Sequence, residues 1–476
     1  MFAWRSIKDR VASAFRYDAL DPHGKRRNVP RSVAREDYYV RGSKHRALQA
    51  NAADLARNLS LAAWMVRRHL DYVSQFRFHS RTGIDTLDDQ IERLMREDAT
   101  PDRADVAGKF GREKIFRLAE ARRVLDGDCL LVMVRNGKLQ GIKADLIDGG
   151  ARKKGQEWIN GVQVNAVGRP IRYAIKRRKE YSVTEDDGYI RASNAIHYGF
   201  FDNFAADQVR GVSPLVSALN PLRDVYENFD YALAKAKVSH IFAMSIYRDQ
   251  AQAAEDADDE MVGIDEDDEM SVEREPYEFD LSKPNILNLD PGDRAEVLES
   301  RQPSSEFQEF TKLVIQVALK SLDIPFSFYD ESHTNFFGSR AAWLHYERSC
   351  KDRRDDQIEM RRRYTHWKLR LWVQQGRLTL PPGMTVLDVP SEWVPRGMPW
   401  WDPGKEIRGH VDAIASGLDT PQRVCAATGT DFYDNVDEIA KANQYAESRG
   451  MSLRFAPVGV AAEPEEKEGD DDESET

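Results

Sequence analysis

One stretch, Ser304 to Gly376, restricts the fold more than any other. It reads as an amphipathic helix, a proline stop, a short irregular loop and a second, much longer helix. Ser304 and Ser305 follow Pro303 and are good N-caps, and Glu306 lies in the first turn, where the helix dipole favours an acid. Phe307, Phe310, Val314 and Val317 recur at spacings of three and four, which predicts one apolar face. Gln308, Lys312, Gln316 and Lys320 recur every fourth residue and predict a separate polar stripe with no acid in it. Asp323-Ile324-Pro325 ends the helix, because a residue before proline is pushed out of the α region. The loop Tyr329 to Gly338 follows. The second helix is predicted from Ser339 to Gly376, with Trp343, Tyr346, Met360, Trp367 and Leu371 along it. On pattern alone these are two packed helices of an ordinary α-rich protein.

Upstream, Leu215, Leu219, Leu222, Tyr226, Phe229 and Leu233 form a heptad-like seam. Ser213-Pro214 is an N-cap followed by proline at the first helical position, and Pro221 inside the seam predicts a kink or a late start. The seam is either plain core or the partner of the helix at 304–321.

The rest of the chain mixes the two periodicities. Helical patterns cover residues 43–79, Ile84 to Glu97 and Arg112 to Asp126. From Gly127 the period becomes two. Cys129 to Val134 is a β run, Arg135-Asn136-Gly137-Lys138 predicts a type I′ hairpin turn, and Gln140 to Ile147 returns. A second pair is Trp158 to Val164 with Pro170 to Ile175, turned at Gly168. Ile241 to Tyr247, Tyr277 to Leu281 and Ile286 to Leu289 are short strand candidates, and residues beyond Gly376 read as turns and helices ending near Gly450. The fold class is α+β and helix-rich.

Charge is distributed unevenly. The net of −11 contains a stretch at 249–280 that nets −14 and a stretch at 463–476 that nets −8, so the remainder nets +11. A basic body suits nucleic acid, whereas acidic runs are more often solvated chain. Residues 1–36 are rich in Arg and Lys and read as a flexible arm, which either stays free or wraps a neighbouring subunit or an acidic partner. The first eight residues, Met1 to Lys8, lack an apolar core and a small-residue cleavage site, so no secretory signal is expected. No apolar run approaches the length of a membrane span. Cys129, Cys350 and Cys425 are too few and too scattered for a disulfide framework and fit a reducing compartment.

Enzyme signatures are missing from the sequence. There is no phosphate-binding Gly-x-x-x-x-Gly-Lys-Ser/Thr loop, no His-Glu-x-x-His, no Gly-x-Ser-x-Gly and no Cys-x-x-Cys. His197 lacks a second histidine or paired carboxylate nearby in sequence and reads as a structural strand residue rather than a ligand or base. Asp265-Glu266-Asp267-Asp268-Glu269 lacks the glycine and spacing of a calcium loop. No catalytic residue, metal or cofactor is expected.

The wording of several segments resembles the lambda-type portal proteins of tailed bacteriophages. Those segments are Phe307 and Phe310, Ile324-Pro325, Asp330 to Asn335, Ser339-Arg340-Ala341-Ala342, and Trp367 with Trp372. Gly161-Val162, Gly168-Arg169-Pro170, His197-Tyr198, Gln208-Val209-Arg210-Gly211 and Ser213-Pro214-Leu215 continue the likeness, as do Trp400-x-Asp402-Pro403-x-Lys405-Glu406 and Gly417-Leu418-x-Thr420-Pro421. Phe336-Phe337 departs from the family's commoner Tyr-Ser pair. The resemblance implies a virion protein assembled in the host cytoplasm. It would form a ring, usually of about twelve copies, at one capsid vertex, around a channel for double-stranded DNA bound non-specifically. Its implied partners are the terminase large subunit, the major capsid or scaffold protein and a head–tail adaptor.

The same resemblance implies a portal-like division of the chain. Residues 1–42 are a basic arm and 43–212 a mixed α/β wing. The stem is 213–240 with 304–321. A small β-containing clip with an acidic insert, 241–303, lies between them. Residues 322–338 are the channel loop, 339–390 a long helix returning to the wing, 391–450 a helical crown and 451–476 an acidic tail. His333, Thr334, Asn335, Phe336 and Phe337, with Lys312, Gln316 and Lys320, are the expected channel residues, and the polar stripe faces either the lumen or the neighbouring stem. Asp265 to Glu269 are the expected docking residues of the clip. A metal-dependent nuclease and a non-phage scaffolding ring are the alternative readings.

Overall fold

The computed structural model describes residues 36–151, 156–176, 188–201, 207–241, 244–248, 293–297, 305–332, 335–397 and 402–453. It is helix-rich and α+β, as the sequence pattern implies. The chain divides into two units, one made of residues 1–75 and 80–391, the other of 76–79 and 392–476.

In the first unit the helices α1 (Glu36–Tyr39), α2 (Ser43–Asn58), α3 (Ser60–Val73), α4 (Asp85–Glu97), α5 (Pro101–Ala104) and α6 (Arg112–Asp126) come first. The single helix expected over 43–79 is broken at Leu59, whose backbone is extended (φ −110°, ψ 112°). The polypeptide then leaves helical geometry after Val73 and runs into strand β1 (Phe76–Ser80). Leu48, Ala52, Ala62, Met65 and Val73 line the buried faces of α2 and α3 in one large core.

Two small sheets follow. Strand β2 (Asp128–Met133) lies between β3 (Leu139–Lys143) and β8 (Ala195–Gly199), antiparallel to both, with Leu130 opposite Ile142 and His197. Strands β4 (Glu157–Ile159), β5 (Val162–Val164), β6 (Pro170–Ala174) and β7 (Tyr189–Arg191) form a four-stranded meander. The expected turn at Gly168, φ 80°, joins β5 to β6, but the other two turns differ from expectation. At Asn136-Gly137 only Gly137 has positive φ, 85°. Gly137 N–H donates to the Val134 carbonyl at 2.9 Å and Val134 N–H to that of Lys138 at 3.0 Å, which is a three-residue loop with a glycine bulge rather than a type I′ turn. The type I′ pair is Asn160-Gly161, with φ 43° and 88°. It splits the predicted strand Trp158 to Val164 into β4 and β5.

Beyond β8 the chain makes a 3₁₀ turn at Pro214–Ala218, where the Ser213 hydroxyl accepts from Leu215 N–H at 3.2 Å. Helix α7 (Leu219–Ile241) then starts, late as expected, with Pro221 in its first turn, where its missing N–H is harmless. Strands β9 (Met244–Arg248) and β10 (Asp293–Val297) pair antiparallel, with Ile246 opposite Ala295. The candidate strands at 277–281 and 286–289 and the acidic run at 256–269 lie outside the described residues. Helix α8 (Ser305–Leu319) packs on α7 and ends in a 3₁₀ turn, Lys320–Leu322, with Asp323 left-handed at φ 56° before Ile324-Pro325. Helix α9 (Phe336–Gln374) is the longest element and begins three residues earlier than expected.

In the second unit β1 pairs with β11 (Ser391–Pro395), and Phe78 packs on Trp393 with centroids 5.1 Å apart. The strand β11 stands where only turns and helices were expected. Helices α10 (Pro403–Ala415), α11 (Pro421–Thr428) and α12 (Phe432–Ser448) follow, N-capped by Asp402, Thr420 and Asp431 respectively.

Candidate nucleic-acid interface

Helix α8 has three faces. Thr311, Ile315, Ala318 and Leu319 are buried, and Leu322 continues them beyond the helix. They meet Leu215 of the preceding 3₁₀ turn and Leu219, Leu222 and Val225 from the start of α7 in the main core. The apolar face expected from Phe307, Phe310, Val314 and Val317 is divided: Val314 packs against this core and Phe307 against α7, while the other two face outward. Phe310, Leu313 and Val317 point away from the subunit, 54%, 56% and 54% exposed. Helix α7 behaves the same way. Its seam is buried from Leu215 to Leu222, but Tyr226, Phe229 and Leu233 are half exposed, although Phe229 still meets Phe307 edge to face at 6.2 Å. The helix pair is rooted in the core and runs out of it.

The third face of α8 carries Gln308, Gln316 and Lys320, all exposed, with Lys312 partly covered. Glu309 is exposed seven residues before Gln316 and so shares its flank, which corrects the expectation of an acid-free stripe. Lys312 Nζ lies 3.2 Å from Asp330 Oδ2. Asp330 also accepts from Ser332 N–H at 3.0 Å and from the Ser332 hydroxyl. These Ser332 bonds first, and then Lys312, lower the Asp330 carboxyl to about 2.

The segment before the loop is held by aromatic contacts. Phe326 and Tyr329 are 5.6 Å apart, Trp64 meets Tyr329 at 6.3 Å, and Phe328 lies between Tyr72 and Tyr346. On the far side Asn335 caps α9, its side-chain oxygen accepting from Gly338 N–H at 2.6 Å. Phe336 and Phe337 therefore open a helix and do not lie in the loop, a correction that follows from the Asn335 cap. Phe337 is highly exposed. His333 and Thr334, and the clip residues Asp265, Glu266, Asp267, Asp268 and Glu269, lie outside the described residues.

Helix α9 reads as basic, yet much of its charge is spent inside the subunit. Arg354, Arg361 and Lys368 recur every seven residues and are all buried. Arg354 donates to the Tyr72 carbonyl at 2.8 Å and pairs with Glu347. Arg361 reaches Glu113 at 2.7 Å and the Ser74 carbonyl at 3.2 Å. Lys368 bridges Asp98 at 2.9 Å and the Gly137 carbonyl at 2.8 Å, with the Trp372 indole donating to the same Asp98. Arg353, one residue off this seam, donates to the Leu322 carbonyl and to Asp323, both at 2.8 Å. Helix C-termini carry partial negative charge, so Arg354, Arg361 and Arg353 anchor the C-terminal ends of α3 and of the α8 turn to one spine. The heptad spacing was the available signal, but spacing alone does not separate a buried cation from a solvated one.

A second polar centre lies at β2. Asp128 is fully buried and accepts from Arg210 at 2.6 and 3.0 Å, from Gly211 N–H at 3.0 Å and from His197 at 3.1 Å. Burial alone would raise its pKa; the Arg210 charge outweighs that and holds the carboxyl far below the usual range. His197 sits in mid-strand β8, not at a strand end, and its ring bonds Asp128. Glu120, buried among Arg123, His69, Tyr198 and Gln357, is lowered to about 2 by Arg123 and His69 against its burial. Among the described residues no group of three or more His, Cys, Asp or Glu is placed to hold a metal ion, and no helix is long and apolar enough to cross a membrane.

Comparison with known proteins places this arrangement. A family model described as phage portal protein, lambda family, matches residues 24–354. A probable portal protein of Halomonas phage phiHAP-1 is 22% identical over 420 residues, covering 81% of this chain and 77% of that protein. Among solved structures, a chain from the virion of a native gene transfer agent particle is 13% identical with a TM-score of 0.43, covering 80% of this chain and 93% of that one. A chain from the neck of the native particle, computed with C12 symmetry, is 13% identical with a TM-score of 0.42 at the same coverage of each. With that family model covering well over half its length, the chain belongs to the lambda family of phage portal proteins.

Proposed function

We propose that copies of this chain close into a ring of about twelve at one capsid vertex, where the stem pair α7 and α8 surrounds a channel for double-stranded DNA. The ring admits DNA during packaging and releases it at ejection, and the protein acts by position rather than by catalysis. In this reading residues 43–212 form the wing, 213–240 and 304–321 the stem, 241–303 the clip, 322–335 the channel loop, 336–390 the long helix and 391–450 the crown. The terminase large subunit and later the head–tail adaptor dock at the clip, and the major capsid or scaffold protein holds the wing.

What carries the reading is the three-way division of α8. One face is core, one is an exposed apolar stripe (Phe310, Leu313, Val317), and one is polar. An apolar stripe on a projecting helix calls for a neighbouring stem, which leaves the polar face of Gln308, Lys312, Gln316 and Lys320 for the lumen. Ring symmetry turns each lysine into a belt of positive charge that touches phosphates without reading bases. Negative-stain microscopy with light scattering tests it. Rings with a central hole about as wide as a duplex are expected; a compact monomer that cuts DNA when Mg²⁺ is added would overturn it.

A further inference from the structure

One cavity in the first unit is walled by polar groups that the fold itself leaves unused. It holds about 680 Å³, and its walls include Pro170 and Tyr173 of β6, His197 of β8, Phe201, Asp207 and Arg363 of α9. That volume suits a small organic ligand. Tyr173 is only 3% exposed, yet its hydroxyl has no hydrogen-bond partner among the described residues. The His197 side chain is 7% exposed; its Nε2 meets Asp128 at 3.1 Å, and its Nδ1 has no partner among the described residues. Asp128 is ionised, so Nε2 carries the proton and Nδ1 of the neutral ring is an acceptor. Arg353, Arg354, Arg361 and Lys368 of α9 each reach a carboxylate. Arg363 reaches only the Ala195 carbonyl, at 3.1 Å through Nη2, and no described carboxylate lies within ion-pair distance of it. Its charge is felt at the wall: burial raises the Tyr173 phenol to about 12, and Arg363 works against that rise. Buried polar atoms are normally bonded, so a buried hydroxyl and a buried ring nitrogen beside a cavity call for a partner that enters it.

We propose that this cavity binds a nucleoside monophosphate. Arg363 and the Tyr173 hydroxyl donate to the phosphate, while His197 Nδ1 and the Asp207 carboxylate accept from N–H and O–H groups of base and sugar. Tyr173 and Phe201 meet the His197 ring edge to face, at 5.3 and 5.6 Å, and with Pro170 they give a flat base an apolar wall. A bare phosphate would leave that wall and both acceptors unused and would be repelled by Asp207. A nucleoside alone would leave Arg363 without its anion. The same chemistry is offered by a free nucleotide and by the 5′-phosphorylated end of an unpaired strand. The site lies within one subunit and does not depend on ring formation.

Isothermal titration of the full chain tests it. Adenosine 5′-monophosphate is expected to saturate one site with a Kd below about 1 mM. Adenosine and inorganic phosphate should each bind at least about tenfold more weakly. Arg363→Gln should weaken binding of the nucleotide at least about tenfold, and Tyr173→Phe, which removes one oxygen, about threefold to tenfold, both with unchanged unfolding midpoints. No saturation by about 10 mM nucleotide, or saturation that neither variant weakens, would overturn the site. Phosphate binding as tightly as the nucleotide, or N-acetylphenylalanine binding more tightly, would overturn the ligand class. A 5′-phosphorylated tetranucleotide that displaces the nucleotide, where its 5′-hydroxyl twin does not, would assign the ligand to a strand end. Displacement by neither would assign it to the free nucleotide, and equal displacement by both would overturn recognition of a terminal phosphate.

Discussion

Lys312 Nζ stands 3.2 Å from Asp330 Oδ2, so a cation on the polar face of α8 is already shared with the root of the loop. Both side chains reach solvent, and water and salt weaken such a pair. Asp330→Asn is expected to loosen the loop root, seen as faster exchange at the Ser332 amide, and to tighten non-specific duplex binding by releasing Lys312. The slope of log affinity against log salt should steepen by about one. Weaker DNA binding by this variant would remove Lys312 from the channel. Because the Asp330 carboxyl is lowered to about 2, the link is whole at neutral pH and is lost as pH falls from the ordinary carboxylate range towards that value.

Ile315 and Val317 lie two residues apart on α8 but on opposite sides of the assembly problem, one buried and one exposed. Ile315→Ala is expected to destabilise the subunit by about 2–5 kcal/mol through lost burial and a cavity. Val317→Asp should change subunit stability by no more than about 0.5 kcal/mol and yet block ring formation. Denaturant unfolding of the monomer and light scattering of the assembled sample separate the two effects.

Arg210→Met leaves Asp128 buried without its main partner. The expected loss is roughly 3–5 kcal/mol, read from the unfolding midpoint. The wild-type pair holds the Asp128 pKa below its unfolded value. Its contribution is therefore complete above the unfolded carboxylate pKa and is lost as pH falls below it, so the wild type and the variant should converge in stability in acid.

The three cysteines differ in their reach to solvent. Burial pushes the Cys129 thiol far up and that of Cys350 up to about 11, whereas Cys425 is partly exposed. A thiol reagent at mildly alkaline pH should label Cys425 in the native protein, and the other two only on unfolding. Native labelling of Cys350 would mean that α9 opens locally.

Periodicity located elements well and oriented them poorly. The helix Arg112–Asp126 was legible residue for residue, because an amphipathic repeat ends there in glycine. The seam from Leu215 to Leu233 was legible as a helix, but not the point at which it leaves the core, since Leu222 and Leu233 look alike in sequence and differ only in what surrounds them. Asn136-Gly137 and Asn160-Gly161 are the same dipeptide in different turns; strand register, a long-range property, decides between them. The pairing of β1 with β11 was illegible for the same reason. Lys312 lies on the helix read from the sequence, but its Asp330 partner sits across a proline stop that hides the approach of the two segments.

The outward apolar face of α8 also bears on how freshly made subunits avoid clumping. A chain carrying a net charge of −11, with −14 and −8 concentrated in two stretches, repels its own copies at low ionic strength. Salt screens that repulsion and strengthens apolar contact, so assembly should quicken as salt rises. Duplex binding in the lumen has the opposite sign, because it draws on counterion release from phosphates. A single ionic-strength series therefore separates the colloidal behaviour of the subunit from the DNA-handling behaviour of the ring, each with its own slope.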